Sequence, residues 1–487
     1  MKEKHFFDCP SRTVFWFIAV VSVLWTLQCS VFQTVLGKDI VETVMWGSLW
    51  QLGHLKHPPL SGWIGYLTAL LSGYSPWAMY LAAQVFLAIG AFYVYKLARE
   101  FLNETESAAS TLLLYVLFYY NPSSMKFCSH FLEAAFMPAM AFYIVRGARQ
   151  NRIRDWLAAG FFTALAILGK YSAIIILPGC LIYILSSRET RKCLLKPGIW
   201  LGMALGLVLL LPHLVWLVQH DFSCLRHVEK RISDDVMPWY YFLEVALVGI
   251  LPVGVEFLAL LLSWLPARKD GCRKPVPREA LFLSLLLTLI PAAVLTLIAL
   301  CGKDVVLMWY SFLASWTGLA AVALFPFSIS RSHFRNLWLL AAAYTLCALI
   351  ATTIDITVKS RLRCHADTAG IIRNVEAYVR KDNPGRKIRT VIGDRWLAGV
   401  IQFYSPDHPK ACSDSDSYSI ALLMPEIRRN GVLLAGNPEL IRKYLPDIAG
   451  KVRFDYFTVE HKALFGKRKT AEYWIAFYPG DSGQKNK

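Results

Sequence analysis

Residues 14–36 read VFWFIAVVSVLWTLQCSVFQTVL, without one charged side chain. A hydrocarbon core about 30 Å thick is crossed by roughly 20 apolar residues in a helix, so this block is long enough to span it. It is longer than a signal-peptide core and has no convincing small-residue cleavage site, which makes it a retained first span. The same composition returns at Trp200–Val218, Leu281–Leu300 and Leu337–Ile354. With 56% of residues hydrophobic and 17% charged, several such blocks in one chain exclude a soluble fold. The reading is a polytopic α-helical membrane protein.

The net charge of +17 would suit a nucleic-acid binder, but its placement argues otherwise. Lys and Arg gather in short loops between apolar blocks, as in cytoplasmic loops of membrane proteins. Lys2, Lys4 and Arg12 hold the N-terminus in the cytoplasm, so Gly37–Pro58 lies outside. Leu60–Leu71 is too short to span and reads as an interfacial helix. The spans then alternate: Trp77–Leu97, Ala108–Tyr120, Phe131–Val145, Trp156–Leu168, Tyr171–Leu185, Trp200–Leu217, Trp239–Leu265, Ala280–Leu300, Val305–Phe325 and Asn336–Val358. With the first block these make about eleven spans, and every strongly basic short loop falls on one side. The localisation expected is a bacterial inner membrane, with residues 1–358 as the transmembrane domain.

Beyond Lys359 charged residues become frequent and no block could span. A β-prone run at Arg389–Asp394 precedes a helical pattern at Trp396–Tyr404, and Gly431–Ala435 leads into a helix near Pro438–Tyr444. Phe454–Val459 and Glu472–Tyr478 read as a hairpin. Residues 359–487 are therefore expected to form a small soluble α/β domain, periplasmic by the parity of the spans. The eleven cysteines show no metal spacing. Cys364 and Cys412 could pair in an oxidising compartment.

Ionisable groups near membrane depth are costly and need a reason. The first outer loop offers Asp39 and Glu42, on one side of the segment if it is helical, and ends in His57-Pro58-Pro59. His130 and Glu133 cluster with Tyr119 and Tyr120 at another outer end, Lys170-Tyr171 follows a span, and His220, Arg226, Lys230, Arg231 and Lys303 lie further on. Sugar transfer from a lipid phosphate needs a carboxylate to take the acceptor's proton and cations to neutralise the leaving phosphate. Duller readings stand beside these. His57 also shapes a turn, Lys170 also suits snorkelling, and the remaining charges suit a solvated face.

The stretches Gly37-Lys38-Asp39-Ile40-Val41-Glu42 and His57-Pro58-Pro59-Leu60 resemble the first periplasmic loop of family 39 (PMT_2-type) integral-membrane glycosyltransferases of the C-type fold. These include the aminoarabinose and galacturonic acid transferases of lipid A and lipopolysaccharide core. Leu168-Gly169-Lys170-Tyr171-Ser172, Pro212-His213-Leu214-Val215-Trp216 with Gln219-His220-Asp221-Phe222, and Gly393-Asp394-Arg395 are similar to later family segments. The resemblance implies a polyprenyl-phosphate sugar donor, an inverting single displacement, Asp39 as catalytic carboxylate, Glu42 as its helper and Lys170 on the donor phosphate. Many members have adjacent acidic residues in this loop, whereas Ile40 follows Asp39 here, which leaves the division of roles with Glu42 open. It also weakens the case for a divalent cation, so metal-independent transfer is expected, with a glycolipid or protein acceptor. The rivals are a flippase or transporter of lipid-linked sugar, for which inverted repeats would be expected, and a protein O-glycosyltransferase.

Overall fold

The computed structural model describes residues 6–122, 127–233, 237–270, 272–305, 307–381 and 383–481. The helical body begins with α1 (Pro10–Phe32), and proline at its first position supplies a preset φ where no amide partner is needed. Two helices too short to span follow, α2 (Lys38–Gly47) and α3 (Leu60–Leu71). Next come α4 (Pro76–Ala98), α5 (Glu104–Leu113), α6 (Ser129–Gln150), α7 (Ile153–Gly169), α8 (Leu177–Ser186), the single turn α9 (Arg188–Arg191) and α10 (Pro197–Gln219). The body closes with α11 (Ser223–Ser233), α12 (Tyr241–Trp264), α13 (Arg278–Leu300), α14 (Ala314–Leu324) and α15 (Arg331–Val358). Seven helices among the described residues are long and apolar enough to cross a membrane, so the chain is a multi-pass membrane protein.

All the expected spans are helical, but four are not long single helices. The segment at 108–120 is α5 followed by 3-10 turns, and in that expected at 305–325 the described residues from Leu307 on are a 3-10 turn leading into α14. The segment at 171–185 is a 3-10 turn plus α8, bent by 105° from the helices after it, and α7 has only 17 residues. The stretch between the expected spans at 200–217 and 239–265 contains α11, whose Cys224 is fully buried. Helix packing relies on small residues: a Cβ on Gly160 would lie 1.9 Å from the Gly202 carbonyl, and one on Gly202 2.2 Å from that of Trp156. The Gly198, Gly202, Gly206 spacing on α10 thus lets α7 approach backbone to backbone.

After α15 come α16 (Leu362–His365) and α17 (Thr368–Arg380), then β1 (Thr390–Gly393), α18 (Arg395–Tyr404), β2 (Lys410–Ser413), α19 (Ser417–Asn430) and β3 (Val432–Ala435). They are followed by α20 (Pro438–Tyr444), α21 (Pro446–Ala449), β4 (Asp455–His461) and β5 (Lys469–Tyr478). The five-stranded sheet has order β2-β1-β3-β5-β4, parallel through its first three strands and antiparallel thereafter. The expected hairpin is β4–β5, while β2, α17 and α19 were not anticipated. Cys364 and Cys412, expected as a possible pair, are not joined by a disulfide.

The sheet unit sits directly on the segment between α1 and α3. Trp396 Nε1 donates to the Leu36 carbonyl at 3.2 Å, and the Leu36 amide donates to Tyr404 Oη at 3.0 Å. A Cβ on Gly399 would fall 2.7 Å from Val41, so glycine is what lets α18 lie flat on α2. Gln51 donates to Ser419 at 2.8 Å, and Tyr74 stacks on His408 at 3.7 Å.

Candidate active site

Helix α2 starts after Gly37 in extended conformation and carries Asp39 in its first turn, where a carboxylate suits the positive end of the helix dipole. Ile40, Val41, Val44 and Met45 are buried and anchor it. Gly47 meets Gly62 of α3, where a Cβ would lie 2.0 Å from a carbonyl oxygen. The turn that ends in His57-Pro58-Pro59 is closed by the His54 amide donating to the His57 carbonyl at 3.0 Å. Cys224 of α11 donates to the His54 carbonyl at 2.6 Å, and Trp216 packs on Gly53. His213 Nδ1 faces the Leu52 carbonyl at 2.6 Å, so that nitrogen carries the proton and Nε2 accepts from Tyr171 Oη at 2.7 Å. The Pro212–Trp216 segment is thereby explained as a brace for this loop.

The facing wall comes from α6 and the end of α7. Lys170 terminates α7 in extended conformation, which turns its side chain back toward α6. Its Nζ lies 2.9 Å from Glu133 Oε2 and 3.1 Å from His130 Nδ1. Glu133, 0% exposed, also accepts from Ser172 Oγ, and its Oε2 is 3.1 Å from His130 Nδ1. Ser311 Oγ completes the group, 3.2 Å from His130 Nδ1. A buried ion pair is tolerable only when such additional hydrogen bonds satisfy it.

Between the walls lies a cavity of about 400 Å³. Asp39, Glu42, His57, His130, Lys170 and Tyr171 all line it, with Glu133 immediately behind Lys170 and His130. Its apolar side is formed by Ile175, Leu295, Ile298 and Trp309. Asp39 is exposed, and its carboxylate makes no ion pair or hydrogen bond with the described residues. Glu42 is buried and held by Lys56 Nζ at 2.6 Å and by Arg395 of α18 at 3.5 Å. The cavity does not include His220, Arg226 or Lys303. His220 stacks on Trp216 at 4.1 Å and its carbonyl accepts from Tyr418, so it joins α10 to the sheet unit. Arg226 is exposed on α11, and the side chains of Lys230 and Arg231 lie outside the described residues.

Sequence reasoning passed over Lys56 and Arg395 as site residues. Lys56 directly precedes His57-Pro58-Pro59 and was legible there as a cation beside a rigid turn. Arg395 reaches the site from 353 positions beyond Glu42 (395 − 42), and no local pattern signals that. Burial, reinforced by the nearby cations Lys170 and Lys56, holds His57 well below the usual histidine range, so it faces the cavity as neutral imidazole. Burial likewise lowers Lys56, which the Glu42 carboxylate opposes. His54, 2% exposed, is pushed down to about 3 by burial and by His213.

Residues 56–216, which carry the brace, the turn at Lys56 and His57 and the wall of His130, Glu133 and Lys170 but not Asp39 or Glu42, match the family described as dolichyl-phosphate-mannose-protein mannosyltransferase (PMT_2). The lipopolysaccharide core galacturonosyltransferase RgtB of Rhizobium johnstonii is 26% identical over 51% of this chain and 50% of its own. The lipid A galacturonosyltransferase RgtD of the same organism is 28% identical over 45% of this chain and 44% of its own. The chain thus spans about half the length of these curated relatives. The crystal structure of ArnT from Cupriavidus metallidurans bound to undecaprenyl phosphate superposes with a TM-score of 0.58, at 13% identity, covering 95% of this chain and 97% of that one. The resemblance read from the sequence is borne out: residues 56–216 match the PMT_2 family, and nearly the whole chain has the C-type fold of ArnT.

Proposed function

We propose that this protein is a membrane glycosyltransferase that moves a sugar from a polyprenyl-phosphate donor to a glycolipid acceptor of the lipid A or lipopolysaccharide core type. The observation that carries the reading is the cavity itself: an unpaired carboxylate, Asp39, shares it with Lys56, Lys170 and an apolar side. In the reaction Asp39 takes the proton of the acceptor hydroxyl, whose oxygen attacks the anomeric carbon. The bond from that carbon to the phosphate oxygen breaks, and polyprenyl phosphate leaves with the electron pair. Lys56 uses one N–H on Glu42, and Lys170 uses one on Glu133 and faces His130 with another, so each keeps at least one donor to neutralise the leaving phosphate. Side-chain cations meet this need, so the transfer is metal-independent in this reading. Leu295, Ile298 and Trp309 accommodate the isoprenoid chain. RgtB and RgtD, and the undecaprenyl phosphate bound to ArnT, support the same donor and acceptor classes.

The site faces the periplasm in this proposal, with the N-terminus in the cytoplasm. A phosphatase reporter fused after Val358 is active if that is right, and inactive if the sheet unit is cytoplasmic. The chemical test is mass spectrometry of envelope glycolipids from a deletion strain carrying wild type, Asp39→Asn or Lys170→Ala. Loss of one sugar mass that only wild type restores supports the assignment. Full complementation by Asp39→Asn overturns it in favour of lipid-linked sugar transport, and unchanged glycolipids redirect the acceptor to protein.

A further inference from the structure

A second and larger cavity, about 960 Å³, opens in the sheet unit where the parallel strands end. The chain leaving β1 turns toward β2, while the chain leaving β3 turns toward β4 and β5, so the carboxyl ends of β1 and β3 part at a topological switch point. Open α/β sheets bind ligands in such crevices. Gly436, at φ +141, lets the end of β3 pass within contact of Asp394.

The lining has two components. Lys38, Arg363, Arg442 and Arg453 point cations into it with no ion-pair partner among the described residues, and Arg395 joins them. Trp474, Tyr473 and Phe454 supply aromatic faces, with Arg442 over the Phe454 ring at 5.4 Å. Of the carboxylates, Asp394 Oδ1 accepts from the first amides of α18 and Asp414 accepts from Ser413, while Glu439 and Glu472 are exposed acceptors. Aromatic faces, arginine forks and acceptors for hydroxyls together suit a sugar that carries negative charge.

The crevice and the smaller cavity share one wall. Lys38 lines the crevice while its neighbour Asp39 lines the cavity, and Arg395 lines the crevice while pairing with Glu42 across the wall. We infer that the crevice binds the acidic saccharide head of the acceptor and presents its hydroxyl to Asp39. This rests on the transferase reading above and names the part of the acceptor that is held.

The test reads binding, with no turnover, on the full-length protein in lipid nanodiscs. The probe is the unacylated glucosamine disaccharide 1,4′-bisphosphate, titrated by calorimetry. The expected result is saturable binding that weakens at least tenfold in the Arg363→Ala/Arg453→Ala pair and in Trp474→Ala, and is unchanged in Asp39→Asn. The neutral disaccharide binds at least tenfold more weakly, and neither inorganic phosphate nor undecaprenyl phosphate displaces the probe at matched concentration. Binding undiminished in both crevice variants, absent binding, or displacement by undecaprenyl phosphate overturns the inference, as does displacement by inorganic phosphate alone. Because Asp39→Asn binds normally if the crevice is right, failure of the catalytic assignment and failure of this inference read out separately.

Discussion

Asp39 and Glu133 stand on opposite walls of one cavity and are treated in opposite ways. Glu133 is sealed from solvent and engaged by Lys170, Ser172 and His130, whereas Asp39 is exposed and makes no contact of that kind with the described residues. Glu42, one turn from Asp39, resembles Glu133 more than its neighbour, since Lys56 and Arg395 hold it. A carboxylate that fixes cations cannot also take a proton readily, because each cation favours its charged form. The difference separates positioning carboxylates from the one left free for proton transfer.

The largest effect that would break this contrast is on rate. Asp39→Asn is expected to lower single-turnover sugar transfer by about 10²–10⁴-fold with no change in thermal unfolding; equal loss from Glu42→Gln would erase the distinction. On the other wall, Glu133→Ala leaves the Lys170 ammonium buried without its partner, which costs about 3–5 kcal/mol and is read as a lowered unfolding midpoint. The pair Glu133→Leu/Lys170→Met is expected to regain most of that stability while transferring no sugar, which separates folding from donor binding.

A third expectation concerns pH. His54 has its folded value depressed to about 3, so the unfolded chain binds more protons whenever pH lies between that value and about 6.5. Stability contributed by neutral His54 is complete above 6.5 and falls by about 1.4 kcal/mol per pH unit below it. Melting curves of wild type should therefore drop between pH 6.5 and 4 more steeply than those of His54→Phe, which keeps the stacking on Trp46. The smallest effect is that of Arg395→Ala. Its guanidinium is a third exposed and its contact with Glu42 is 3.5 Å, so the pair contributes about 0.2–1 kcal/mol. Transfer should slow a few-fold, measured as kcat, with unfolding nearly unchanged.

Much of the fold was legible because membrane spans and strands depend on local composition. The block at 14–36 became α1, Leu60–Leu71 became α3 at the same bounds, and the expected hairpin became β4–β5. Strand β2 was hidden because Lys410-Ala411-Cys412-Ser413 is short and its pairing with β1 comes from a sequence-distant strand. Helix α11 lies between two expected spans and is rich in charged residues, and the burial of Ser223 and Cys224, the latter against the His54 turn, shows its packed side. Among the candidate residues, Asp39, His57, His130 and Lys170 gather at one cavity, while His220 serves the contact with the sheet unit.

By itself the sequence determined that apolar helices cross a membrane, that a mixed α/β unit follows them, and that chemistry-bearing residues sit at the helix ends. Those properties follow from transfer free energy and side-chain periodicity, which act over a few turns of chain. Only the tertiary structure decided which cation meets which carboxylate. Lys170 lies 37 positions from Glu133, and Arg395 comes from another unit altogether. Charge interactions fall with distance in space and rise with burial, and neither quantity is written in the order of the residues.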